Sequence, residues 1–261
     1  MSEKITDKPE AVDELIGTGS EIAGGAAGAA IGFFTGGPGG AVIGGAAGPF
    51  LSKVFRNMAS EIGQRILGHR EKERVGAAIA YAAVKIRENL AAGKQPRQDD
   101  FFKPHPGDRS AAEEIVEGVL LTAQKEWQEK KLRFHGFLLA NIAFNPVDRP
   151  LANLLVRTSE RISYRQMCLL NIFANKHNFP LRQTNYREIG TISPPLGPLL
   201  QEVYDLYLQA MVHGSGEAWI SVGDINPSKV EVQGTGGMLY NWMELGNLDS
   251  KDVAEVAKIL S

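Results

Sequence analysis

The chain has 261 residues, with 28 Lys and Arg against 30 Asp and Glu, so a net charge of −2 gives no overall case for a nucleic-acid-binding protein. Its one cysteine, Cys168, excludes a disulfide framework and suits the reducing cytoplasm. The opening MSEKITDKPEAVDEL is polar and acidic, unlike a secretory signal or transit peptide, and no Leu-rich stretch approaches the roughly 20 residues of a membrane span.

Residues 1–21 carry two basic groups (Lys4, Lys8) and six acidic ones (Glu3, Asp7, Glu10, Asp13, Glu14, Glu21). From Ile22 to Ser52 no residue is charged, and glycine recurs every fourth position: Gly24, Gly28, Gly32, Gly36, Gly40, Gly44 and Gly48. On a helix this spacing forms one stripe without side chains, against which a second backbone can lie closely, the small-xxx-small pattern of helices that associate in membranes. Thr35-Gly36-Gly37-Pro38-Gly39 is turn chemistry, so two arms are expected, Gly19–Phe34 and Gly40–Phe55, folded into a hairpin.

Each arm is about 24 Å long as a helix, short of a 30 Å hydrocarbon core. Nine glycines in the arms, outside the turn, cost roughly 8 kcal/mol of helix propensity relative to alanine, which only close packing can offset. The arms are thus expected to be sheltered at rest and to insert conditionally on assembly. A soluble hairpin packed on its own domain and a flexible linker are the alternatives, although linkers favour Ser and polar residues over Ile, Phe and Val.

Beyond the hairpin, residues 53–74 carry Lys53, Arg56, Arg65, Arg70, Lys72 and Arg74 against Glu61, Glu71 and Glu73, a basic stretch suited to anionic lipid or to solvent. Helices are expected over Val54–Leu67 and Glu71–Ala92, the second with the stripe Val75, Ile79, Ala82 and Ile86. Ser110 and Glu113 read as a capping box opening one long helix to about Phe144, unless Gly136 bends it. Pro146 ends that helix, and Pro150 begins another over Leu151–Arg161.

Ser163 caps an expected helix Tyr164–His177, with Met167, Leu170, Phe173 and Ala174 facing the core. A short element near Tyr186–Ile189, a helix Pro198–Val212, two β-like runs (Ala218–Val222 and Lys229–Gln233) and helices Thr235–Leu245 and Asp249–Leu260 follow. This is the order of a winged helix. A DNA reader needs Lys or Arg on the third helix, whereas Pro198–Val212 has none and offers Glu202 and Asp205, so a protein-contact role is expected. The expected fold is mainly α: an acidic N-terminus plus glycine-zipper hairpin (1–56), a helical domain (57–150) and a winged-helix-like domain with a small β-ribbon (151–261).

No motif marks an active site. His69, His105, His135, His177 and His213 are scattered, without metal-ligand spacing to another His, Cys or carboxylate. The glycines lack the Lys-Ser/Thr of a phosphate loop, Gly17 and Gly19 follow no strand, and Cys168 reads as a buried thiol. Trp127, Trp219 and Trp242 read as core or interface anchors. No enzyme, cofactor or metal is expected.

The run EEIVEGVLLTAQKEWQEKKLRFHGFLLANIAF from Glu113, the later SERISYRQMCLLNIFA and the terminal TGGMLYNWMEL resemble helical bacterial proteins of the Abi-alpha type, linked to abortive infection. The resemblance lies in pattern across the C-terminal two-thirds and transfers no catalytic residue. It implies an anti-phage setting in which an effector harms its own cell once infection is sensed. The expectation is a protein cytoplasmic at rest, released by a sensor or regulatory protein encoded nearby. It then forms a homo-oligomer that meets membrane lipid and permeabilises the inner membrane, without direct nucleic-acid contact. A soluble adaptor using the winged-helix-like part, and a small structural membrane protein, are the competing readings.

Overall fold

The computed structural model describes residues 54, 67–104, 109–187, 192–216 and 218–261. The expected hairpin and nearly all of the expected helix Val54–Leu67 lie outside the described residues. The chain divides into two compact bodies, with the boundary between Glu160 and Arg161.

Among the described residues, the first body holds four long helices: α1 (His69–Ala91), α2 (Ala111–Lys125), α3 (Leu132–Ile142) and α4 (Arg149–Arg161). The expected stripe of α1 is its core face, with Val75, Ile79, Ala82 and Ile86 all buried. Ser110 forms the expected capping box: its hydroxyl accepts from Glu113 N–H at 3.2 Å, and the Glu113 carboxylate accepts from Ser110 N–H at 3.0 Å.

Helices α1 and α3 run side by side in one direction, Gly136 against Ala78–Ala82 and Asn141 against Asn89. A Cβ at Gly136 would lie 2.7 Å from Ala78 O, 2.7 Å from Tyr81 Cβ and 2.8 Å from Ala82 N. Gly136 therefore does not bend a helix; it lets two backbones meet. Farther along, Asn89 Nδ2 donates to Asn141 Oδ1 at 3.2 Å, a buried polar link on an otherwise apolar interface.

The single long helix expected from Ser110 to Phe144 is two helices. After Lys125 the backbone becomes extended at Glu126, and Glu129–Lys131 form a short 3₁₀ turn before α3 starts. The cause is the Glu126 side chain, which turns inward and accepts from Gln128 N–H at 2.8 Å. That bond replaces a helical carbonyl partner and reverses the chain.

In the second body, α5 (Tyr164–Ala174) is the centre, with Met167, Cys168, Leu169, Leu170, Ile172 and Phe173 all buried. A helix apolar on every side needs neighbours all round, and α6 (Leu196–Leu208), α7 (Gly234–Trp242) and α8 (Ser250–Ile259) supply them with strand β2 (Val230–Val232). Ser163 caps α5 as expected, accepting from Gln166 N–H at 3.0 Å. The helix stops at Ala174, short of His177, where the Asn175 side chain donates to Asn171 O at 3.0 Å.

The ribbon exists, but only one of its strands stands where the sequence pattern puts it. β1 (Val212–Gly214) pairs antiparallel with β2, Val212 opposite Val232 and Gly214 opposite Val230. The expected strand Ala218–Val222 is no strand; that stretch is clamped by side chains instead of a ladder. Trp219 N–H donates to Tyr207 Oη at 3.2 Å, and the Asp224 carboxylate accepts from Ile220 and Ser221 N–H at 2.7 and 2.9 Å. Trp219 packs on Tyr207 with ring centroids 4.5 Å apart and fills the space over Gly214, where a Cβ would lie 2.5 Å from its Nε1. The described part of Tyr186–Ile189 forms no helix or strand, although Tyr186 is buried.

Candidate functional site

The densest polar chemistry in the first body surrounds the break between α2 and α3. Glu126, Lys131, His135 and Ser159 are all buried there. Lys131 Nζ lies 2.5 Å from Glu126 Oε2 and donates to Glu160 O at 3.1 Å. His135 Nε2 faces the same carboxylate at 3.4 Å, and its Nδ1 faces Ser159 Oγ at 3.3 Å, while that hydroxyl donates to Val156 O at 2.8 Å. The order Ser159, His135, Glu126 is that of a hydrolytic triad, which makes access to the hydroxyl the deciding question.

The geometry argues for structure. Ser159 and His135 are each 1% exposed, so no substrate reaches the hydroxyl. Burial pushes the His135 pKa below its ordinary value, outweighing the raising effect of the Glu126 carboxylate. The neutral ring then places its proton on Nε2 for Glu126, while Nδ1 faces a Ser159 hydroxyl whose own proton goes to Val156 O. Burial alone raises the Glu126 carboxyl, but hydrogen bonds from His135, Lys131 and Gln128 N–H overcome it and hold the pKa at about 2. The result is a charge-matched pivot that fixes the turn.

Turning Glu126 inward sends its neighbour outward. Trp127 is 76% exposed, which excludes the core half of the core-or-interface role expected of it, while Trp219 is buried and Trp242 half-buried. The outward Trp lies at the end of the body where α1 begins: Gln124 Nε2 donates to Glu71 Oε1 at 3.2 Å, and Arg74 Nε lies 3.7 Å from Glu129 Oε1. Beside this end, α2 and α4 form an open groove of about 530 Å³ over Gly118, Leu121 and Val156, with Lys125 and Arg157 among its lining.

Of the expected basic set, Arg70 is exposed, Lys72 half-buried and Arg74 mostly covered and paired with Glu129. Lys53, Arg56 and Arg65 lie outside the described residues, as do the seven zipper glycines. In the second body, His213 Nε2 is 3.5 Å from Glu231 Oε2 across the ribbon, a pairing that sequence spacing does not reveal. Arg187 pairs with Asp224; that bond, with those from Ile220 and Ser221 N–H, holds the Asp224 pKa at about 2. The face of α6 carries Glu202, engaged by Arg165 at 2.7 Å, and Asp205 rather than a row of cations.

Among the described residues, no three His, Cys, Asp or Glu side chains gather in a metal-binding group. No helix among them is long and apolar enough to cross a membrane. No family model, curated protein or solved structure matches the chain.

Proposed function

We propose that the chain is a membrane-damaging effector in which a folded helical carrier holds a glycine-zipper segment. The observation that carries this reading is the run of seven glycines in four-residue register within 31 uncharged positions, 22–52. The propensity cost of its glycines favours a sheltered state in the single copy and tight helix contacts in a homo-oligomer. The carrier supports this division of labour, because α1–α4 and α5–α8 have their own cores.

The trigger belongs to the second body. Its surface exposes Ile220 (83%) and Leu208 (65%) beside the Tyr204–Tyr207–Trp219 stack, apolar contact points for a sensor or regulatory protein. The acidic residues on α6 favour a protein over DNA as the partner of this winged-helix-like module. The anti-phage setting rests on the sequence resemblance alone, with inner-membrane collapse as the harmful act. The exposed apolar residues also suit a soluble adaptor, which differs by staying in the soluble fraction under every condition.

The test places Leu at Gly28, Gly32 or Gly44, and at off-stripe Ala29 or Ala46. A simple anchor gains from Leu, which is both a better helix former and more apolar. A zipper loses its backbone contact. Liposome leakage and cell depolarisation are expected to disappear for the stripe variants and to persist for the Ala variants. Equal loss at both kinds of position refutes the zipper, and absence of leakage from wild type with its partner present refutes the effector.

A further inference from the structure

We infer that Trp127 and the cations around it form a docking face that seats the first body on an anionic bilayer beside the glycine-rich segment. This face rests on the membrane reading above and adds to it a second contact, on the folded carrier itself.

Three observations carry it. The first is the exposure of Trp127, held outward in a rigid turn because Glu126 is locked inward by Lys131 and His135. An indole on a fixed turn, apolar in body and polar at one edge, matches the headgroup level of a bilayer.

The second is the local charge. The acidic groups at this end are engaged: Glu126 with Lys131, Glu129 with Arg74, Glu73 with His69, and Glu71 with Gln124 and Gly68 N–H. Residues 69–74 and 124–131, which meet at this end, carry Arg70, Lys72, Arg74, Lys125, Lys130 and Lys131 against these four carboxylates, so the formal charge beside Trp127 is net positive. Anionic lipid attracts such cations by about fivefold in binding for each one near the surface.

The third is connectivity. The 16 residues between Ser52 and His69 reach at most about 58 Å when fully extended. A glycine-rich segment engaged with lipid therefore tethers this end of the body to the same surface, and α1 starts at the end that bears Trp127. A protein groove is the other surface that takes an exposed Trp, but the tether and the net positive charge favour lipid.

The experiment uses the full chain with vesicles of phosphatidylethanolamine and phosphatidylglycerol, against pure phosphatidylcholine, in co-sedimentation and leakage assays. Trp127→Ser is expected to weaken binding to the anionic vesicles at least about tenfold, the scale of burying much of an indole. Lys125→Glu is expected to weaken it about fivefold or more, with the loss fading in high salt. Leu154→Ser, an exposed apolar residue on α4, serves as the control and is expected to change nothing. Brominated acyl chains are expected to quench the wild-type fluorescence but not that of Trp127→Phe.

If Trp127→Ser binds as well as wild type and the quenching is unchanged, the docking face is refuted, while leakage by the wild type still upholds the effector. If wild type neither binds nor leaks, both readings fall. Gly28→Leu separates them from the other side: it is expected to lose leakage yet keep Trp127-dependent binding. Loss of that binding in Gly28→Leu overturns the carrier's independent contact.

Discussion

Gly136→Ala and Gly118→Ala are the same chemical change in neighbouring helices of one body, and they are expected to move stability in opposite directions. At Gly136 the new methyl lies 2.7–2.8 Å from two backbone atoms and a Cβ of α1, whereas ordinary contact begins at 3.4 Å. None of these atoms can rotate away, so α1 and α3 must separate by about 0.7 Å or more, the kind of overpacking that costs about 1–3 kcal/mol. Replacing a helical glycine returns about 0.8–1 kcal/mol of propensity, leaving a net loss of up to about 2 kcal/mol. At Gly118 the methyl meets only Val156 Cγ1, at 3.6 Å. The propensity gain survives there, giving a net stabilisation of about 0.5–1 kcal/mol. Urea unfolding followed by circular dichroism, with hydrogen exchange of α1 and α3 to isolate the first body, reads the difference. In melting temperature, each kcal/mol is about 2–4 °C for a chain of this size. A Gly136→Ala protein stabilised as much as Gly118→Ala refutes the close approach of the two helices.

The buried cluster makes a second prediction. Glu126→Gln leaves Lys131 buried without its counter-charge, an expected loss of about 3–5 kcal/mol, while Glu126→Gln with Lys131→Met recovers much of it. Acid is expected to act on the same cluster: His135 resists protonation in the fold, so stability starts to fall as pH drops below its ordinary 6.5. It falls further as pH moves from the ordinary 4.5 of a glutamate towards the value of about 2 held by Glu126. Urea midpoints measured from neutral pH to pH 2 check this, and His135→Phe is expected to flatten the upper part of the curve. Deleting residues 1–52 is expected to leave a cooperatively folded helical protein; aggregation of the truncated chain tells against a self-sufficient carrier.

Signals in this chain are legible in the sequence wherever the forces are local. Ser110 with Glu113 and Ser163 with Gln166 start helices because each pair satisfies its own orphan amides, and the α1 stripe is a plain 3.6-residue period. The breaks are not legible. Nothing in KEWQEKK announces a reversal, because Glu126 leaves the helix only when Lys131, His135 and Ser159 converge on it in three dimensions. In the same way, Ala218–Val222 has the composition of a strand. It becomes a loop because Trp219 is drawn onto Tyr207 and over Gly214, which β pairing places beneath it. Gly136 stands out in the sequence but its role does not, since a glycine that bends a helix and one that admits a neighbour look alike without the neighbour. Trp127 reads in the sequence as a core or an interface residue without saying which, because its direction is set by Glu126, not by periodicity.

The hydrogen bond between Asn89 and Asn141 governs how α1 finds its place. Against Gly136, α1 sets the small Ala78 and Ala82 one turn apart with Tyr81 beside them, so a slip of one turn on this face brings one alanine to the place of the other. Smooth surfaces allow close approach but store little information about alignment. A slip of one turn parts the two asparagine amides and leaves each without its partner inside the body, at a cost of about 1–3 kcal/mol per group. The pair acts as an index mark, making one sliding position out of several the native one, much as a lone buried asparagine fixes the alignment of a coiled coil.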